Sequence, residues 1–170
     1  MSEDWSKLRD IDPLADGRAQ IPFAIGLAEF PRLAPALVRT EGCARGGVHF
    51  GRLAGSAVAD VQVDAELRLT CQRCLGAIER PVHSRGRVAL VSSPEEADRV
   101  PADLETLWAP ERRVSIRDLV EEELLLSLPL VALHATEECA GAASAGPATE
   151  EPPSAERQRP FAGLDELLKR

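Results

Sequence analysis

Four residues of this chain carry atoms suited to holding a transition metal. Cys71-Gln-Arg-Cys74 is a C-x2-C pair, and His134-Ala-Thr-Glu-Glu-Cys139 places an imidazole and a thiol on one short segment. Two residues between thiols let a tight turn aim both sulfurs at one ion, as in zinc knuckles. If the two pairs meet, Cys71, Cys74, His134 and Cys139 form a Cys3His set. Zinc suits such thiolate and imidazole donors, in tetrahedral geometry and without redox activity. Three readings stand beside a structural zinc: small buried thiols with a surface histidine, a thiol–disulfide couple, and a catalytic zinc with an open fourth position. No thioredoxin-like βαβ pattern surrounds the C-x2-C, which counts against the redox couple. Cys43 stands outside the set and reads as a half-buried free thiol.

His83, Arg85 and Arg87, with Arg80 and Arg73 nearby, make the only basic concentration in a chain of formal net charge -8. A strand face with several arginines can engage phosphates, or it can be a solvated face balanced by nearby Glu and Asp. The segment has no aromatic residues to stack on bases, which disfavours an RRM-like or OB-like reader. Net acidity also excludes coating nucleic acid through the average field, because phosphate binding draws on Lys and Arg. Glu121, Glu122 and Glu123 are consecutive on an expected helix and diverge, so they read as a solvated face rather than a catalytic cluster. No G-x-S-x-G, G-x-x-x-x-G-K or G-x-G-x-x-G occurs. Neither an enzymatic activity nor a small-molecule substrate is expected.

These residues need a scaffold, and the clearest part of it lies between Ala57 and Cys71. Ala57, Ala59, Val61, Val63, Ala65, Leu67, Leu69 and Cys71 alternate with mostly polar residues, which specifies a strand with one buried face. A strand near 47–53 reaches it through a turn at Gly55-Ser56. Beyond Cys74, Gly76 permits a turn into a return strand, with Ile78, Val82, Val88 and Leu90 on one side and Glu79, His83, Arg85 and Arg87 on the other. Residues 21–25 read as a short strand, and Pro31 and Pro35 keep any helix over 27–38 short. Ser115-Ile-Arg-Asp118 resembles a capping box, and Ile116, Leu119, Val120, Leu124 and Leu128 recur at helical spacing until Pro129.

The expected fold class is therefore α+β: an antiparallel sheet, as a meander or partial barrel, packed by a helix at about 115–128, with flexible N- and C-terminal arms. Residues 1–20 read as an irregular leader with Pro13 and Gly17 as breakers. Residues 21–139 read as the core domain, 140–159 as a flexible linker rich in Ala, Gly, Pro, Glu and Ser, and 160–170 as an amphipathic tail. That tail, with Phe161, Leu164 and Leu168 as anchors, either folds back on its own domain or docks in a partner's groove. A hydrophobic fraction of 44% supports a real core, made mostly of aliphatic residues because aromatics reach only 4%. The acidic and basic residues of the first ten positions do not make a secretory signal, and no apolar run is long enough to span a bilayer. A cytoplasmic protein with no membrane partner is expected, and in that reducing compartment four cysteines point to metal or redox chemistry.

Three blocks, in order, resemble the YceD family, the large ribosomal RNA subunit accumulation proteins. Leu69-Thr-Cys-Gln-Arg-Cys74 closing a long alternating strand resembles the family's (L/E)-C-Q-R-C signature. The second block runs from Asp118 to Leu130 and on to His134 and Cys139. The third, Arg159-Pro-Phe-Ala-Gly-Leu164, resembles the closing N-P-F-A-x-L, with Arg159 in place of Asn. The N-terminal third matches less well, and nothing is carried onto it. The resemblance implies a non-enzymatic ribosome biogenesis factor that supports synthesis, processing or stability of 23S rRNA, with large-subunit pre-rRNA or a ribosomal or processing protein as partner. The family pattern includes Cys71, Cys74, His134 and Cys139. Two other functions fit the residues: a C-x-x-C thiol redox protein, and a zinc-stapled interaction adaptor unrelated to RNA.

Overall fold

The computed structural model describes residues 4–135 and 139. The expected linker at 140–159 and the tail with Phe161, Leu164 and Leu168 lie outside them. In chain order the elements are β1 (Arg9–Asp10), α1 (Ile11–Asp16), β2 (Gln20–Gly26), β3 (Cys43–Leu53), β4 (Ser56–Thr70), β5 (Ala77–Val91), α2 (Pro94–Ala97), β6 (Glu105–Trp108), β7 (Arg113–Val114) and α3 (Ile116–Leu126). The fold class is α+β, as the alternation along β4 and the capped helix α3 imply.

β4 is the axis of a five-stranded sheet in the order β2-β3-β4-β5-β6, while β1 pairs with β7 apart from it. From β2 to β5 the strands form the antiparallel meander. β6 departs from it, running parallel to β5 at the sheet edge. Between β3 and β4 the connection is the two residues Ala54 and Gly55, with φ of 48° and 88°. Both are left-handed, as a turn whose twist matches its strands requires. Ser56, expected in the turn, already pairs with Leu53.

One face of the sheet is the core. Phe23 and Ile25 of β2, Val48 and Phe50 of β3, and Val61, Val63 and Leu67 of β4 are all buried there. Gly46 lies between Phe23 and Val63 in register, and a Cβ there would run into the backbone carbonyl of Gln62. α3 packs against β4 and β5 on this face through Ile116, Leu119, Val120 and Leu124. Its first turn is capped by Ser115, whose Oγ accepts the Asp118 N–H at 3.0 Å. The Asp118 carboxylate does not reach back to the helix entrance but accepts from the Arg117 guanidinium.

Glu121 corrects the expected solvated acidic face. It is buried, 2% exposed, and its Oε1 accepts the backbone N–H groups of Arg32 at 2.7 Å and Leu33 at 3.1 Å. Over 27–38, two 3-10 turns, Leu27–Glu29 and Ala34–Ala36, replace a longer helix. This loop drives Leu27, Phe30 and Leu33 into the core, which leaves amides beneath it in need of an acceptor. Glu121 supplies it. Glu122 pairs with Arg32, and Glu123 accepts from the Ser84 hydroxyl above Gly86.

The first twenty residues are not an irregular leader throughout. Arg9 and Asp10 pair with Val114 and Arg113, and α1 buries Ile11 and Ala15 against the sheet. Pro13 falls in the first turn of α1, where a missing N–H costs no helical bond. Asp12 joins three parts of the chain: Arg112 reaches it with two bonds of 2.7 Å, and Arg52 of β3 with one of 2.9 Å. Hydrogen bonds from Arg112, then from Arg52, hold the Asp12 carboxyl far below the usual carboxylate range. A carboxyl depressed in this way stabilises the fold at pH values above its ordinary 3.8. The contribution is lost as pH falls from there toward the folded value. Asp12→Asn is accordingly expected to flatten the acid limb of the stability–pH curve below about pH 4. Urea unfolding at stepped pH reads this directly, and a mutant whose acid limb matched the wild type would show that Asp12 is not clamped.

Candidate metal centre

β4 ends at Thr70, and Cys71 follows with its side chain fully buried. The chain then turns tightly: the Leu75 N–H donates to the Cys71 carbonyl at 2.9 Å, and the Cys71 N–H to the Gly76 carbonyl at 2.8 Å. Leu75 takes the left-handed conformation here, with φ of 61°. Gly76, expected to be the permissive residue, does not. This turn aims both sulfurs of the C-x2-C toward the segment after α3.

That segment is tied back to the turn by the Gln72 N–H, which donates to the Ala132 carbonyl at 2.9 Å. Two residues on, the His134 ring meets the turn. Its Nε2 donates to the Ala77 carbonyl at 3.0 Å, so that in the neutral ring Nδ1, 3.3 Å from the Cys74 Sγ, is the nitrogen free to act as a ligand. This is the outer-shell bond that orients a ligating histidine. The Cys139 Sγ lies 3.8 Å from the Cys71 Sγ. All four ligand atoms, from Cys71, Cys74, His134 and Cys139, lie within 4.8 Å of one another.

The electrostatics of the set favour a cation at its centre. Burial pushes the Cys71 thiol up, but N–H groups of Cys74, His134 and Arg73 aim at its sulfur and outweigh that, bringing it down to about 5. Burial, then the neighbouring Cys74 and Cys71 sulfurs, pushes Cys139 up to about 11. His134 is raised, chiefly by its contact with Cys71. Packed this closely, the sulfurs oppose one another's ionisation. A divalent cation removes that conflict, because a coordinated thiol is deprotonated outright. The donor set fits a metal ion, and four protein ligands would complete a tetrahedral site.

The structure separates the basic residues singled out from sequence. His83, Arg85 and Arg87 share the outer face of β5, but the His83 Nδ1 sits 2.6 Å from Asp64. Arg87 bonds Asp60 at 2.6 and 3.0 Å. Arg85 stands opposite Gln62, while Arg80 pairs in register with Leu67 of the core face. Arg73 lies in the turn of the metal centre. Cys43 opens β3 as a half-buried free thiol outside the cluster. Sequence reasoning did not reach the Ala77 and Ala132 carbonyls, because a backbone acceptor has no residue signature.

Fold and site together define a class: an α+β protein whose antiparallel meander carries, at one corner, a Cys3His set able to hold a metal. The chain belongs to the YceD family, whose model, described as "Large ribosomal RNA subunit accumulation protein YceD", matches residues 59–168. A Haemophilus influenzae protein named Large ribosomal RNA subunit accumulation protein YceD is 28% identical over 169 residues, covering 94% of this chain and 95% of that protein. That coverage takes in much of the N-terminal third, where the resemblance in sequence is weaker. No solved structure matches the chain. Among the described residues no helix is long and apolar enough to cross a membrane.

Proposed function

We propose that this chain is a non-enzymatic cytoplasmic factor supporting accumulation of 23S rRNA of the large ribosomal subunit, and that a structural zinc at Cys71, Cys74, His134 and Cys139 fixes the surface it uses. The supporting observation is the convergence of four ligand atoms, from a strand turn and a segment some sixty residues later, within 4.8 Å. Membership in the YceD family and the name of the Haemophilus influenzae relative supply the link to rRNA. Zinc is the metal of choice because three thiols and an imidazole are its common structural ligands. With all four positions taken by protein, none is left for a substrate, which favours a structural role over a catalytic one.

The partner is a ribosomal or processing protein, or pre-rRNA held through one. On β5 Arg87 is already paired with Asp60 and the His83 ring is hydrogen-bonded to Asp64, and the net charge is -8. Direct phosphate contact would have to compete with those carboxylates.

Cells depleted of this protein are expected to show a lowered ratio of 23S to 16S rRNA, restored by the wild-type chain and not by a Cys71→Ser, Cys74→Ser double variant. An unaltered ratio on depletion would rule out the rRNA role and leave an adaptor of another kind. Restoration by the double variant would separate the function from the metal. A variant that kept its metal yet failed to restore would indicate thiol chemistry instead.

A further inference from the structure

Beside the metal centre the core face ends in a groove of about 140 Å³, lined by Leu69, Ile78, Arg80, Pro129, Val131 and Leu133 among others. Leu69 and Ile78 form its floor as a cross-strand pair of β4 and β5. The segment above is unusually apolar for its exposure: Leu130 is 99% exposed, Val131 54% and Leu133 43%. Apolar area left in water in this way forfeits roughly 25 cal/mol per Å². Such a strip beside a preformed groove is built to be covered.

We propose that residues 160–170 of the same chain cover it, seating Phe161, Leu164 and Leu168 in the groove. The chain's path supports this occupant. Leu133 adjoins the ligand His134, and Cys139 is held at the same centre, so the chain leaves the described structure next to the groove. The twenty residues from 140 to 159, with linker-like composition, have an r.m.s. span of roughly 22–27 Å. Tethering at that length gives an effective concentration on the order of millimolar. Phe161, Leu164 and Leu168 recur at the spacing that puts them on one face of a helix. The charges agree as well. Arg80 lines the groove and is opposite in sign to the tail's Asp165 and Glu166. The family match also takes in groove and tail together, ending at residue 168.

Docked there, the tail would lie against the metal corner, so the surface presented to a partner would depend on whether the groove is filled from within. Amide hydrogen exchange by mass spectrometry on the full chain tests this. Phe161→Ser with Leu164→Ser is expected to speed exchange over 129–135 by about tenfold. Val131→Asp, at an exposed position that leaves the core intact, is expected to speed exchange in 160–168 to a similar degree. No change in either region would overturn the proposal. So would protection in 129–135 that vanishes on dilution, which would mean a second copy fills the groove. Protection arising only after a ribosomal fraction is added would assign the groove to a partner, and would equally overturn docking in cis.

Discussion

Cys71→Ser is expected to abolish zinc binding and to open the corner between β4 and β5. Cys71 is the most deeply enclosed ligand, fully buried, and its sulfur already accepts the Arg73 N–H at 3.4 Å. A serine oxygen is shorter, harder and not ionised at neutral pH, so it cannot take its place. Structural zinc supplies roughly 10–16 kcal/mol of apparent binding energy in small folds. Losing even part of that exceeds what the corner's few backbone bonds supply. The melting temperature of the zinc-loaded protein is expected to fall by about 10 °C or more. Added zinc should no longer raise it. The core around Phe30, Val48 and Leu119 stands apart from the centre, so most β-structure should survive by circular dichroism. Cys43→Ser is the matched control, with an expected change within about 0.5 kcal/mol. Equal melting of wild type and Cys71→Ser, with and without zinc, would remove the staple from the account.

The second large effect is expected at Glu121, which is not one of the four residues of the Cys3His cluster. Removing its carboxylate in Glu121→Ala leaves the N–H groups of Arg32 and Leu33 without their acceptor beneath a loop anchored by Phe30 and Leu33, both fully buried. Hydrogen bonds to charged groups contribute about 1.5–3 kcal/mol each, and stranded buried donors cost a comparable amount. Destabilisation of roughly 3–5 kcal/mol is expected by urea unfolding. Glu121→Gln keeps one acceptor oxygen in place and should recover about half of the loss. If Ala and Gln at this position were equally mild, Glu121 would be an ordinary surface acid. The loop would then owe its position to apolar packing alone.

Glu121 also shows where sequence reading reaches its limit. Its partners are backbone amides 89 and 88 residues away, so the acidic run Glu121–Glu123 looks uniformly solvated. In fact one carboxylate is buried, one pairs with Arg32 and one meets Ser84. β4 is legible because its period of two is written over fifteen residues. α3 is legible because Ser115 and its apolar spacing are local. β6 is only four residues long, too short for any periodicity, and its pairing with β5 is decided by the crossover that precedes it. α1 was hidden by Pro13, a breaker in a helix interior but harmless in a first turn. The basic residues of β5 could be placed on a strand but not assessed, because Asp60 and Asp64 reach them only through register with β4.

The metal centre was half legible. C-x2-C and H-x4-C are local spacings, and each suggests a ligand pair alone. Their meeting depends on the sheet register that carries Cys71 to the corner and on the Gln72–Ala132 bond that draws the later segment to it. Neither has a residue signature. The redox alternative draws on the same two cysteines, and it is geometry that brings the expected third and fourth donors, His134 and Cys139, to within 4.8 Å of them.

The most direct test is X-ray absorption at the zinc edge on protein purified without chelators, combined with metal analysis of the same sample. About one zinc per chain is expected, with three sulfur neighbours near 2.3 Å and one nitrogen near 2.0–2.1 Å. A protein free of metal that refuses zinc, or a zinc surrounded by oxygen and nitrogen alone, would contradict the account.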